Sequence, residues 1–108
     1  MRIELIKGTL DMLILKALMA GSAHGYGIAR WLEQATDDAL RVEEGSLYPA
    51  LHRLERRGLV ESDWGYSENN RRARFYALTR AGRKWLEQER AAWGVFVETV
   101  AKVMAAPA

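Results

Sequence analysis

The sequence contains no cysteine, only two prolines and only two histidines among its 108 residues. A chain without cysteine forms no disulfide framework and no thiolate metal site, and it has no cysteine nucleophile. His24 and His52 are too far apart to be paired at helical spacing, so we expect no metal and no cofactor. No Ser/His/Asp set or paired carboxylate in a predicted cleft suggests catalysis, so we do not expect an enzyme.

Long apolar runs are also missing. No stretch approaches the ~18 apolar residues of a membrane span, and residues 1–7 lack the apolar core of a signal peptide. We therefore expect a cytoplasmic protein with no membrane partner. The length suits a single small folding unit rather than two.

The excess of positive over negative charge is small, but it is unevenly distributed along the chain. The net charge is only +2, and the first half of the chain is slightly acidic. Residues 52–83 hold eight basic and four acidic groups, whereas residues 84–108 are balanced. A local concentration of positive charge is typical of a nucleic-acid-binding surface.

Hydrophobic periodicity predicts three short helices in the first half of the chain. They cover about residues 9–20, 24–35 and 45–57, with Thr9 as the N-cap of the first helix. Gly58 ends the third helix after a cationic last turn. Pro49 lies in the first turn of that helix, where a missing N–H costs little.

The first predicted helix is apolar on nearly every side. Met12, Leu15 and Met19 lie away from the stripe that we assign to the core. A helix of this kind must be buried on all sides. So small a domain has few other elements that could pack against it. We therefore expect part of this helix to pack against another subunit.

The second half predicts a β-hairpin followed by one long helix. Residues 59–66 and 72–78 are β-prone and flank the polar turn 67–71. Thr79 is a candidate N-cap for a helix that runs to about Ala105 and would be about 40 Å long. Its near-heptad apolar stripe comprises Leu86, Trp93, Phe96, Val97, Val100, Val103 and Met104. This stripe also needs a partner, so we expect a homodimer.

Three helices and a hairpin in this order predict a mainly α fold with a small β-hairpin, namely a winged helix-turn-helix. We assign residues 1–78 to this DNA-binding domain, residues 79–105 to a C-terminal dimerisation helix and residues 106–108 to a tail. In such a domain the third helix enters the major groove of double-stranded DNA. The hairpin, or wing, lies over the neighbouring backbone or minor groove.

The candidate DNA-binding residues lie on the outward face of the third helix and in the wing. They are Ser46, Tyr48, Pro49, His52, Arg53 and Arg56 on the helix, and Asn70, Arg71, Arg72 and Arg74 in the wing. The guanidinium of Arg53 suits the guanine edge, and the wing arginines suit phosphates. The alternative is an ordinary charged surface, with Tyr48 as a half-buried aromatic residue.

Four ordered motifs resemble the PadR-type transcriptional regulators. They are GTLDMLIL at 8–15, HGYGI at 24–28, EGSLYPAL at 44–51 and RFYALT at 74–79. The chain is most similar to the short branch of that family, which has a single long C-terminal helix. The resemblance implies a cytoplasmic homodimeric repressor that binds an inverted-repeat operator, with its first and last helices forming the dimer.

The resemblance also implies a small, planar aromatic effector. In some members of the family, a tryptophan on the dimerisation helix lines a pocket at the two-fold axis, and Trp93 lies in the position that looks equivalent. With Phe96, Met12 and Leu15 it would form this pocket, in which two indoles could stack on a ligand. The alternative is that Trp93 and Phe96 only fill the dimer core.

Two other functions stay open at this point. One is a winged-helix module that binds an acidic protein surface, and the other is a multidrug sensor built around the tryptophan pocket. For the HGYGI motif we expect a local role, in which His24 makes a hydrogen bond at the helix start. Its glycines would let helices approach closely, with Tyr26 in the core.

Overall fold

The computed structural model describes residues 8–108, which form four α-helices and a three-stranded antiparallel sheet. In chain order the elements are α1 (Thr9–Leu18), β1 (Ala23–His24), α2 (Gly25–Ala35), α3 (Glu44–Arg56), β2 (Val60–Tyr66), β3 (Arg72–Leu78) and α4 (Arg80–Ala105). This order confirms the predicted fold class of three helices, a hairpin and one long helix.

Side-chain caps fix where α2 and α4 begin. The Nδ1 of His24 accepts a hydrogen bond from the Gly27 amide at 3.0 Å, and the Thr79 hydroxyl accepts one from the Gly82 amide at 3.0 Å. Both caps confirm the predictions for these residues. Thr9, in contrast, is the first residue of α1 and not its cap, because left-handed Gly8 occupies that position.

Helix α1 is the centre of the core, and this overturns one step of the sequence argument. It packs against α2 and α3 and also against β3 and α4, so the chain itself covers most of its apolar surface. Ile14 and Leu15 have no exposed area. The expectation that Leu15 faces another subunit is therefore wrong. Met19, at the end of the helix, stays exposed.

The sheet contains one more strand than predicted. Strands β2 and β3 form the expected hairpin, with Val60 opposite Leu78 and Tyr66 opposite Arg72. The two residues of β1 pair with the other edge of β3, giving the order β1-β3-β2. Two residues are too few to show the alternation that marks a strand, so periodicity could not have found β1.

The junction of α3, β2 and α4 holds the wing on the helical core. Gly58 adopts a left-handed φ of 73° and ends α3 as predicted. The Thr79 hydroxyl donates to the Gly58 carbonyl at 2.7 Å, and the Thr79 amide donates to the Leu59 carbonyl at 3.2 Å. Because Thr79 follows β3 and binds the two residues that precede β2, the start of α4 is fixed relative to the wing.

Helix α4 projects beyond the body of the protein. Its first turns pack on the core and bury Gly82 and Leu86, whereas every residue from 91 to 108 is exposed. Leu86 was expected on a subunit interface, and this is wrong because the chain's own core encloses it. Among the described residues no helix has the length and apolarity needed to cross a membrane.

Candidate nucleic-acid interface

The outward face of α3 is polar and accessible along its whole length. Leu47, Ala50, Leu51 and Leu54 are buried against the core, which turns the intervening positions outward. All of the residues predicted for this face are exposed: Ser46, Tyr48, Pro49, His52, Arg53 and Arg56. The face therefore has the shape and the hydrogen-bonding groups that a major groove accepts.

Tyr48 is placed by a glycine of the neighbouring helix. A Cβ built on Gly25 would lie 2.8 Å from the Tyr48 hydroxyl oxygen, so only glycine allows the ring to lie across the start of α2. This confirms the expected close approach of helices at the HGYGI motif. Tyr26 was expected in the core, but this is wrong because 66% of its surface is exposed.

The wing presents two arginines that have no ion-pair partner among residues 8–108. Arg71 and Arg72 are exposed at the end of the hairpin, and no described carboxylate lies within 4.0 Å of either. The Arg72 guanidinium stacks on the Trp64 ring at 4.4 Å. Asn70 adopts a left-handed φ of 58° in the turn, where its amide donates to the Ser67 carbonyl at 2.8 Å.

Arg74 points back to α3 instead of outward from the wing. Its Nε donates to the Ser62 hydroxyl at 2.8 Å, and its Nη2 lies 3.8 Å from a carboxylate oxygen of Glu55. Ser62 in turn donates to Glu55. The cluster connects the wing to α3 and leaves Arg74 partly neutralised.

Arg53 is also bound within the chain. Its Nη2 lies 3.3 Å from Oδ1 of Asp11 on α1. Arg57, at the end of α3, places Nη1 3.8 Å from the other carboxylate oxygen of Asp11. Of Arg53, Arg56 and Arg57, only Arg56 has no carboxylate partner in the described part of the chain.

An open groove of about 920 Å³ separates the start of α2 from the wing. Three tyrosines from different elements line it, namely Tyr26, Tyr48 and Tyr66. The arginines are Arg30, Arg71 and Arg72, and Glu68 is the single carboxylate along the described lining. The groove is thus cationic and rich in hydroxyl groups.

Sequence reasoning missed three residues of this groove. Tyr26 was expected in the core, and Arg30 and Tyr66 were not singled out. A helical projection places Tyr26 and Arg30 one turn apart on α2, which was the available signal. That α2 faces the wing depends on tertiary packing, which the projection does not show.

The residues predicted for the dimer interface and the effector pocket fall into two groups in the structure, one exposed on α4 and one packed in the core. Trp93 and Phe96 lie together on α4 with ring centroids 5.7 Å apart, and both are exposed with the rest of the distal stripe: Val97, Val100, Val103 and Met104. Met12 is half-buried on α1, packed against the core. Leu15 is enclosed in the core, so it lines no pocket.

Across residues 8–108, no cluster of three or more His, Asp or Glu side chains could hold a metal ion. The donor groups at the interface are guanidinium, hydroxyl and imidazole. They are suited to an anionic, hydrogen-bonding partner.

Solved structures of similar chains are transcriptional regulators. A regulator from Clostridium thermocellum superposes with a TM-score of 0.82 at 32% identity, and the match covers 90% of this chain and 94% of that one. A PadR family regulator from Clostridium difficile gives a TM-score of 0.77 at 28% identity, covering 91% of this chain and all of that one.

A related sequence leads to the same family. A transcriptional regulator of Mycobacterium tuberculosis is 43% identical over 63 residues, and the match spans 57% of this chain and 58% of that protein. The profile of the PadR-like family of transcriptional regulators matches residues 14–88, which run from α1 into α4. The chain therefore belongs to the PadR-like family of transcriptional regulators.

Proposed function

We propose that this regulator is a homodimeric repressor that binds an inverted-repeat DNA operator through α3 and the wing. The observation that carries the proposal is the continuous exposed surface formed by α3, the groove and the tip of the wing. Arg30, Arg56, Arg71 and Arg72 supply its positive charge, and no described carboxylate is paired with them. Such a surface gains affinity by releasing counterions from phosphates.

The groove fits the path of one DNA strand. A single sugar–phosphate backbone separates a major groove from the adjacent minor groove. If α3 occupies the first and the wing occupies the second, that backbone passes between them. There it would meet the Tyr26, Tyr48 and Tyr66 hydroxyls and the guanidinium of Arg30, which are groups that bind phosphate oxygens.

A second copy of the chain is proposed to cover the distal half of α4. Trp93, Phe96, Val97 and Val100 form an exposed apolar stripe that the chain itself leaves open, and stripes of this size mark protein contacts. In a two-fold dimer, α3 of each subunit would be the recognition helix. The two recognition helices would enter half-sites about one helical turn, ~34 Å, apart. Symmetry in the protein would then match an inverted repeat in the operator.

We also propose a planar aromatic effector, which would bind where Trp93 and Phe96 meet their dimer mates. Their rings are in contact within one chain, with centroids 5.7 Å apart, so together they offer an aromatic surface on which a flat ligand could stack. A ligand that favours a wider dimer would lower operator affinity by linkage. Planar cationic dyes should then quench the total tryptophan fluorescence of the wild type and much less that of Trp93→Phe, in which only Trp31, Trp64 and Trp85 remain.

The experiment that tests the function is selection of genomic fragments by the purified protein at near-physiological salt. The expected result is an enriched inverted repeat, bound with an affinity that falls steeply with salt. A weak salt dependence and no enriched sequence would refute the repressor. In that case the winged-helix module that binds an acidic protein would be the better description.

A further inference from the structure

The Asp11 carboxylate lies beneath the recognition helix, in a position that the proposed DNA contacts do not use. It belongs to α1, and only 8% of the residue is exposed. Its two oxygens hold Arg53 at 3.3 Å and Arg57 at 3.8 Å. A buried carboxylate of this kind is costly without a cationic partner, so at least one of the two arginines must remain with it.

The Arg57 and Arg53 side chains are about equally exposed (46% and 49%), but Arg57 has a second contact. Its guanidinium also stacks on the Trp85 ring of α4 at 4.9 Å, so a carboxylate and an indole hold it from two elements. Arg53 has only the Asp11 contact among the described residues. Its side chain is about half exposed (49%) and lies on the face proposed to meet DNA. Arg53 can therefore leave Asp11 without leaving the carboxylate unpaired.

We infer that Asp11 is a positioning residue that sets DNA specificity by competing with phosphates for Arg53. On random DNA the ion pair holds Arg53 back. At the operator a base contact of Arg53 replaces it, since a bidentate guanine contact outweighs a single charged hydrogen bond. The inference rests on the proposed DNA-binding function and names the residue that restricts the same surface.

The test compares the wild type with Asp11→Asn on a duplex of random sequence, so no operator is needed. With Arg53 released in each subunit of the proposed dimer, two more phosphates are neutralised, and the slope of log affinity against log salt should steepen by about 1.8. By the same relation, if affinities are equal at ~1 M salt, affinity at ~0.15 M salt should rise about fivefold for each subunit bound, or about 30-fold for the dimer. Asp11→Glu keeps the charge and should retain the wild-type slope.

Two double variants show whether the change in salt slope depends on Arg53. They combine Asp11→Asn with Arg53→Ala or with Arg57→Ala. Asp11→Asn should change nothing when Arg53 is already alanine, and its full effect should remain when Arg57 is alanine. An equal gain in the Arg53→Ala background would show a general charge effect and overturn the inference. An unchanged slope in Asp11→Asn would also overturn it.

Folding defects do not obscure this readout, because the slope does not depend on the fraction of active protein. If Asp11→Asn does not fold, the same inference is tested by Arg53→Ala beside Arg56→Ala on random DNA. The restrained Arg53 should contribute less to the slope than Arg56, and equal contributions would refute the inference. If the wild type itself shows almost no salt dependence, the proposed DNA binding fails, which is a distinct result.

Discussion

At the scale of single residues, a buried tyrosine on β3 has a shifted pKa. Tyr76 is 1% exposed at the centre of β3. Burial raises the pKa of the Tyr76 hydroxyl above its ordinary value of 10.0, and the nearby Glu55 carboxylate raises it further. The neutral phenol is therefore the form compatible with the fold.

This pKa shift predicts how stability responds to alkali. In the unfolded chain the tyrosine loses its proton near pH 10, whereas the folded chain retains it to higher pH. Stability from this group is thus complete below pH ~10 and is lost as the pH rises towards the raised pKa. Thermal unfolding midpoints should fall more steeply above pH ~10 in the wild type than in Tyr76→Phe. Curves that stay parallel through that range would contradict this assignment.

At the scale of elements, the contact between the first turn of α4 and the start of β2 decides whether the wing is fixed. A Cβ on Gly82 would overlap the carbonyl oxygen of Leu59. Backbone cannot move aside as a flexible side chain does, so α4 reaches this position only with glycine.

Gly82→Ala is therefore expected to destabilise the fold by about 2 kcal/mol or more. Thermal or denaturant unfolding measures the loss. Gly45→Ala is the matched control, because nothing lies within 4 Å of its added Cβ, and its stability should change by at most a few tenths of a kcal/mol. Equal stabilities of the two variants would show that α4 does not pack as described.

The groove between α2 and the wing gives a prediction about DNA at the same scale. Arg30→Ala should weaken operator and random duplexes alike and reduce the magnitude of the salt slope by about 1.8, since one phosphate contact is lost in each subunit of the proposed dimer. Replacing the contacted phosphate by a neutral methylphosphonate should weaken the wild type but not Arg30→Ala. Lys102→Ala, an exposed cation near the far end of α4, serves as the control. Loss confined to the operator would argue against a backbone contact.

At the scale of the whole molecule, the shape points to a second subunit. The chain extends 57 Å along its longest axis and only 21 Å along its shortest, because the distal half of α4 leaves the body. Val97 is 46% exposed on the apolar stripe of that helix. The chain itself does not bury this stripe, and the proposed second copy would cover it.

Val97→Glu should therefore convert a dimer into a monomer without unfolding it. A carboxylate in the centre of an apolar interface lacks a partner, whereas Val97 contributes little to the core of one chain. Sedimentation would show halved mass, and operator affinity should fall because one half-site contributes alone. Lys102→Glu places the same carboxylate on the opposite face and should stay dimeric. A dimeric Val97→Glu, or a wild type that is already monomeric, would refute the proposed interface.

The sequence by itself determined the order of elements, the caps at His24 and Thr79, and the outward positions of α3. These features depend on neighbours within a few residues, where periodicity and hydrogen-bonding side chains act directly. It also indicated that Arg71 and Arg72 lie in the hairpin, where they are exposed. It did not reveal the short strand β1, because two residues carry no pattern.

Only the tertiary structure decided which of these residues are available. Arg53 and Arg74 are held by Asp11 and Glu55, and Leu15 is enclosed by several elements at once. Asp11 and Arg53 are 42 positions apart, so no local rule couples them. Periodicity states which side of a helix is apolar or charged, but what covers that side depends on packing between distant segments. For that reason the sequence indicated a DNA-binding face, while the fold determined which of its arginines are paired with carboxylates.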